Sequence, residues 1–446
     1  MMKTRVFIAI GCLLALASLV RTRASGPVRG ILMQGAGAAE VRQGEVIVKF
    51  HDATDDATRE RAIRAAGGLA ARRSAFGPRY RVQLKDGIDI PEALGRLATM
   101  GEVEYATPNH VRRALFIPND PLFSVQWNLQ LVHAPRTWDI QKGDPSVVVA
   151  IIDTGVAFEN FGQFAEAPDW GPTVFVPGLN IFSNDSHAND DNGHGTNVAS
   201  IVAEEANNDV GYAGLAFNCS IMPLKVLQAD GTGEDFGISE AIDYARTFTL
   251  NGRNPVKVIN MSLGGTGDDP TLDAAIDRAY QAGITIVAAA GNHVKPGDPT
   301  TVSFPAAHPN VIAVGAVDSS SQITFYSNVG PEVAVVAPGG SGTGNCTELA
   351  TCTAFVFTQN FDVFTPQFNV FTYFIGYSGT SQATPHVSAI AALLYQQGIT
   401  SPAAILAAIE HSAQHLGTGA QGTRNDQYGY GLVRPDQALS GLGLNQ

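Results

Sequence analysis

The sequence predicts a small α+β unit followed by a large α/β domain built on a mostly parallel central sheet. Three observations carry this. From Asn119 onward, near-continuous apolar runs at 147–152, 221–227, 256–261, 284–290 and 311–316 read as strands buried on both faces. Between and after them, helical stretches fall near 194–205, 234–247, 270–282 and 382–397, the spacing expected of a three-layer domain with helices over both sheet faces. Ahead of them, beyond a Gly/Ala-rich linker at Gly35 to Ala39, come a strand at 46–50, a helix at 58–66, a strand at 80–84, a helix at 90–100 and a strand at 103–106. That order fits a compact open-faced sheet. Hydrophobic residues make up 45% and charged residues 15% of the 446, a composition that excludes a disordered or coiled-coil chain.

Residues 1–17 read as a signal peptide. Lys3 and Arg5 form the basic start, Val6 to Leu14 the apolar centre, and Ala15-Leu16-Ala17 the small-residue cleavage site. The apolar run falls short of the ~20 residues of a membrane span, so no membrane association is expected once the signal is cut. Export permits a disulfide between Cys346 and Cys352, six residues apart in a Gly/Thr-rich loop; Cys219 reads as a buried free thiol, and Cys12 leaves with the signal. No Cys/His spacing suggests zinc. Charge divides sharply along the chain. Residues 1–113 hold 18 Lys and Arg against 11 Asp and Glu, and the remainder holds 10 against 30. Such a basic front and acidic body would attract one another at low salt, or each would keep its own surface soluble. The acidic body argues against nucleic acid as a partner.

The chemistry centres on Tyr377-Ser378-Gly379-Thr380-Ser381-Gln382-Ala383-Thr384-Pro385-His386. Here a serine after a Gly-Thr turn opens an apolar helical run. A serine hydroxyl is a poor nucleophile without a base, an orienter for that base and donors for the oxyanion. Candidates for each stand elsewhere in the chain. Asp153 ends the apolar strand 147–152, His194 sits in Asn192-Gly193-His194-Gly195-Thr196, and Asn292 closes Ile286-Val287-Ala288-Ala289-Ala290-Gly291-Asn292. A helix starting at Ser381 would aim its N–H groups and dipole at the reacting centre, with Asn292 adding a side-chain N–H to the oxyanion. Pro385 is expected in the first turn of that helix, where it removes no intrahelical donor. Each motif has a plainer reading: Ser381 as a cap, Asn292 as a turn residue, His194 as a structural histidine. Asp153-Thr154-Gly155 also matches aspartic peptidases, but a single such motif would then require a homodimer.

These four segments, in the order Asp, His, Ser, resemble the subtilisin-like serine peptidases, and the likeness runs from about residue 45 to 440. It implies a secreted, extracellular or periplasmic, monomeric endopeptidase acting on protein or peptide substrates. Residues 40–113, with the ending Glu104-Tyr105-Ala106-Thr107-Pro108-Asn109, resemble the family's inhibitory propeptide, an intramolecular inhibitor and folding aid. Cutting within 111–118, around Arg112-Arg113, would release the peptidase domain of residues 114–446.

The resemblance also implies where substrate and metal sit. Ser262, Leu263 and Gly264 would line one rim of an extended-peptide cleft and Gly231, Thr232 and Gly233 the other. Ala289, Ala290 and Gly291 would wall the main specificity pocket and leave room for a bulky apolar side chain, with Ser303 at its base, where many relatives have glycine, bearing on its depth. A structural calcium ion would be held by Asp120, Asp169, the Asn208 side chain and the backbone carbonyls of Ala206, Val210 and Tyr212. The chain departs from the family pattern at Asn197 and Ser200, where histidine and glycine are usual, and at Gln382, where methionine is usual. The aromatic-rich stretch 340–376 is longer than in compact relatives and is expected to pack on the body rather than meet a partner. The alternative reading of the whole chain is a catalytically silent subtilisin-like domain used for binding.

Overall fold

The computed structural model describes residues 41–111, 116–293, 295, 297–298, 300–342, 352–362 and 368–441. The expected signal peptide, Arg112-Arg113 and Cys346 lie outside these. The chain divides into two compact units, Met1–Arg112 and Arg113–Gln446.

The first unit runs β1 (Val41–Phe50), α1 (Asp56–Ala65), β2 (Gly68–Arg73), β3 (Arg79–Leu84), α2 (Ile90–Ala98) and β4 (Val103–His110). Its sheet has the order β2-β3-β1-β4, with antiparallel pairs throughout. Val46, Val48 and Phe50 alternate inward along β1 and meet Ile63 of α1 and Leu97 of α2 in one core. Asp55 and Asp89 start the helices by accepting from the Thr58 and Glu92 amides. Strand β2 was not anticipated, because Gly-Leu-Ala-Ala-Arg-Arg lies at the sheet edge, exposed after Gly68, and shows no alternation.

The second unit opens with short helices α3 (Trp127–Leu131) and α4 (Ala134–Trp138). Then come β5 (Val148–Asp153), β6 (Leu179–Asn180), α5 (His194–Ala203), β7 (Ser220–Lys225), α6 (Asp235–Thr247), β8 (Val256–Met261), α7 (Pro270–Gln281), β9 (Thr285–Ala289), β10 (Ile312–Val317) and β11 (Val333–Pro338). Two small hairpins follow from β12 (Val356–Phe357), β13 (Asn360–Phe361), β14 (Phe371–Thr372) and β15 (Gly376–Tyr377). The chain ends with α8 (Thr380–Gln396), α9 (Pro402–Ser412) and α10 (Pro435–Leu439). The seven-stranded sheet has the order β11-β10-β9-β8-β5-β7-β6 and is parallel in every pair. Its α/β, mostly parallel character is what the apolar runs predict: every residue of β5, β7, β9, β10 and β11 is buried. Helices α5 and α8 pack together against the sheet, while α6 and α7 pair with each other over some of the same strands.

This topology brings the carboxyl ends of β5, β8 and β9 together with the amino ends of α5 and α8. Ligands bind outside such strand ends in open α/β sheets. The stretch 340–376 packs onto the body where it is described: Ala354, Phe357 and Phe361 are buried, and Phe374 is exposed. Cys219 is a buried free thiol, with burial pushing its pKa up to about 12, and Cys352 is disulfide-bonded. Among the described residues no helix is long and apolar enough to cross a membrane.

Candidate active site

Asp153 is the last residue of β5 and is fully buried. Its Oδ1 lies 2.7 Å from His194 Nδ1 and also accepts from the Thr154 amide at 2.7 Å. His194 is the first residue of α5, raised into position by Gly193 at φ 98°. Burial alone would lower the imidazole pKa; the Asp153 charge and hydrogen bond, with Asp190 behind, hold it above its ordinary value. Asp153 and His194 are therefore joined, and the imidazolium is stabilised.

Ser381 is the second residue of α8, since the helix begins at Thr380 with Gly379 as its cap. Its Oγ donates to the Ser262 carbonyl at 3.0 Å rather than to the imidazole. Pro385 lies in the second turn, not the first, so the expectation that it removes no intrahelical donor is corrected. A residue at that position would donate to the Ser381 carbonyl. That carbonyl instead accepts from Ser262 Oγ at 2.7 Å. Ser262 Oγ is in turn fixed by Asn260 Nδ2 at 3.1 Å, and Asn260 Oδ1 by Ser388 Oγ at 2.8 Å.

Asn292 is oriented by Thr380. Its Oδ1 accepts from the Thr380 amide and from Thr380 Oγ1, both at 3.0 Å, which turns Nδ2 outward. A methyl group built on Gly379 would stand 3.3 Å from Asn292 Nδ2 and 3.6 Å from the Ser381 amide nitrogen. Gln382 Oε1 is nearest to that point, at 3.2 Å, and with it two donors from different elements face the small space beside Ser381, as an oxyanion would require.

A cleft of about 500 Å³ adjoins His194. Ser262, Leu263 and Gly264 form one wall and Gly231, Thr232 and Gly233 the other, with Phe304, Pro305 and Tyr377 completing it. Ala289, Ala290, Gly291 and Ser303 do not line this cleft. Ala289 and Ala290 are buried at the end of β9. Ser303 instead fills space between two glycines: its Oγ would lie 2.2 Å from a methyl on Gly291, and its Cβ 3.1 Å from one on Gly264. Asn328 Nδ2 donates to the same Oγ at 3.4 Å.

The sequence reading passed over Asp190. This fully buried carboxylate accepts from the amides of Asn192 and Gly193 through Oδ1 and from the amide and hydroxyl of Thr196 through Oδ2. Thr154 Oγ1 also donates to it at 2.8 Å and accepts from the Gly195 amide at 2.9 Å. Asp190 thereby ties β5 to the start of α5. A carboxylate four residues ahead of a glycine-flanked histidine was the available signal, since helix starts recruit acceptors for their free N–H groups.

The metal candidates fall into one region. Asp120 accepts from the amides of Asn207 and Asn208 at 2.7 and 3.3 Å. Asp169 accepts from Asn208 Nδ2 at 2.7 Å and from the Tyr212 amide at 3.1 Å. Both carboxylates are buried; burial raises the pKa of each, that of Asp169 to about 6, with the Asp120 charge adding to the latter. Two buried like charges near one another suit a divalent cation, although Asn207, Asn208 and Tyr212 meet these carboxylates with N–H donors. Asn208 turns its nitrogen, not its oxygen, toward Asp169, and its Oδ1 accepts from the Val210 amide. Among the described residues no group of three or more acidic, histidine or cysteine side chains stands within reach of one ion.

Comparison with known proteins completes the description. The model of the subtilase family matches residues 144–431, and that of the fervidolysin N-terminal prodomain matches residues 31–109. The thermophilic serine proteinase of Bacillus sp. (strain AK1) is 36% identical over 84% of this chain and 84% of its own length. Thermitase of Thermoactinomyces vulgaris is 35% identical over 72% of this chain and the whole of its own. A protease structure from Pseudoalteromonas arctica PAMC 21717 superposes with a TM-score of 0.61 at 29% identity, covering 73% of this chain and 99% of that one.

Proposed function

We propose roles for these residues on one premise: the chain belongs to the subtilase family, as a subtilisin-type serine protease made with an N-terminal prodomain. His194 is the general base, Asp153 its orienter and charge partner, and Ser381 the nucleophile. The supporting observation is the 2.7 Å Asp153–His194 contact at the edge of a cleft whose wall residue Ser262 is bonded to Ser381.

The Ser381 hydroxyl leaves the Ser262 carbonyl, rotates to the imidazole and passes its proton to His194 as Oγ attacks the scissile carbonyl. Catalytic hydrogen bonds of this kind are often unformed before substrate arrives. The developing oxyanion takes hydrogen bonds from Asn292 Nδ2 and the Ser381 amide. His194 then returns the proton to the leaving amine, and water repeats the sequence to release the acyl group. Substrate lies extended between Ser262-Leu263-Gly264 and Gly231-Thr232-Gly233, pairing with backbone on both sides.

Residues 1–17 direct export, the enzyme works outside the cytoplasm, and the prodomain inhibits it and assists its folding until cut near 111–118. Asp120, Asp169 and the carbonyls of Ala206, Val210 and Tyr212 would hold calcium, whereas the Asn208 side chain, with its oxygen engaged by the Val210 amide, does not fit as a ligand. That ion supplies positive charge that neutralises the two buried carboxylates and stiffens the loop after α5.

The test is expression of the precursor and its Ser381→Ala form, followed by propeptide release and digestion of an unfolded protein. Wild type should trim itself and digest substrate while the variant stays whole. If both remain folded, uncut and inactive, the domain is a silent binding module or one that needs an outside activating protease.

A further inference from the structure

Three consecutive buried residues of the aromatic-rich segment bond to the catalytic elements and to the loop after α5. Thr358, Gln359 and Asn360 join the two hairpins, and each is 1% exposed or less. Thr358 Oγ1 accepts from Asn197 Nδ2 at 2.8 Å, and Asn197 Oδ1 accepts from Gln382 Nε2 at 3.0 Å. Gln382 is the residue after the nucleophile. The Gln359 amide donates to Glu204 at 3.1 Å, and Gln359 Oε1 accepts from the Asp169 amide at 2.7 Å. Asn360 Nδ2 donates at 2.8 Å to the carbonyl of Gly193, the residue before the catalytic base. The segment then ends in Tyr377, whose ring meets the His194 ring edge-on at 6.1 Å between centroids.

Asn197 and Gln382 are each other's side-chain partners across two helices. Both are fully buried amides, and a buried amide left unpaired is costly. Asn197 accepts from Gln382 through Oδ1 and donates to Thr358 through Nδ2, so the two amides and the Thr358 hydroxyl form one relay. Buried networks of this kind fix a single geometry when every member is satisfied.

We propose that Thr358 and Asn360 are positioning residues of catalysis, Thr358 acting through Asn197 and Gln382 on Ser381, and Asn360 through Gly193 on His194. The insertion is thus a working part of the active site. It rests on the assignment of Ser381 and His194 made above.

The test uses enzyme matured from the full-length precursor, with active sites counted by a serine-directed acylating reagent. Failure of wild type to be labelled at Ser381 overturns the assignment itself, and this inference with it. With wild type labelled, Thr358→Val and Asn360→Leu should each lower kcat per labelled site about tenfold or more while KM changes less than twofold. Asn360→Leu should also move the acid limb of the pH–rate profile, and Thr358→Ser should restore wild-type kcat. Gln382→Leu combined with Thr358→Val should cost no more than the worse single change, since both cut one relay. If Thr358→Val does not accumulate folded, Gln382→Leu gives the same reading from the other end. Variants that melt earlier yet keep kcat and the pH profile would reduce the segment to packing and overturn the proposal.

Discussion

Ser262 and Ser381 exchange two hydrogen bonds: Ser381 Oγ donates to the Ser262 carbonyl at 3.0 Å, and Ser262 Oγ donates to the Ser381 carbonyl at 2.7 Å. The second bond replaces one that Pro385, lacking an N–H, cannot make. The cleft wall thereby repairs the helix that carries the nucleophile. Ser262→Ala leaves that carbonyl unpaired, so we expect a stability loss of about 1–3 kcal/mol together with a lower kcat. Ser262→Thr, which keeps the hydroxyl, should recover both. Denaturant midpoints and active-site-normalised kcat measure the two effects.

Activity should follow the neutral imidazole. His194 is held above its ordinary pKa by Asp153 and Asp190, so the acid limb of kcat/KM should fall on the alkaline side of about 6.5. Below that limb the base is protonated and inactive. Asp153→Asn removes the nearest stabilising charge, so the limb should shift to lower pH while kcat drops on the order of 10⁴. A limb that does not move in Asp153→Asn would assign it to another group.

Gly379→Ala tests the oxyanion site by filling it. The backbone there is extended, with φ at 163°, so the added methyl strains no dihedral, and its nearest neighbour is Gln382 Oε1 at 3.2 Å. It would stand 3.3 Å from Asn292 Nδ2 and 3.6 Å from the Ser381 amide. We expect kcat to fall by roughly 10²–10³, the loss known for subtilisin when one oxyanion donor is removed. Asn292→Ala should cost a similar factor, and the double variant little more than either. Additive losses would mean that the two positions act separately.

Gln382 carries an amide where a thioether would oxidise. Hydrogen peroxide should therefore leave wild-type activity nearly intact, and Gln382→Met should become sensitive. Rapid loss in wild type would place the vulnerable group elsewhere.

Calcium removal should lower thermal stability more than it changes kcat at moderate temperature, because the candidate ligands support the loop after α5 rather than touch substrate. Asp169→Asn and Asp120→Asn should each lose most of the calcium-dependent rise in melting temperature. A melting temperature indifferent to calcium in wild type would remove the ion from this loop.

The sequence by itself determined the sheet and the identity of the chemistry. Each central strand of the large domain is a run of apolar residues because both faces are covered, so periodicity and composition reported it directly. Asp153, His194, Ser381 and Asn292 stand out locally because each sits at a strand end or helix start marked by glycine or by a change of pattern. Edge strand β2 escaped notice because exposed residues carry no such pattern, and Pro385 was misplaced because a helix start is uncertain by a residue or more. Only the tertiary structure decided how these motifs are held. Asp190 binding Thr154, Ser262 replacing the bond lost at Pro385, and Thr358 reaching Gln382 through Asn197 are contacts between residues far apart in the chain. Hydrogen bonds formed between separate elements leave no periodic trace in either one. They exist only once packing has excluded water and each buried polar group must find its partner.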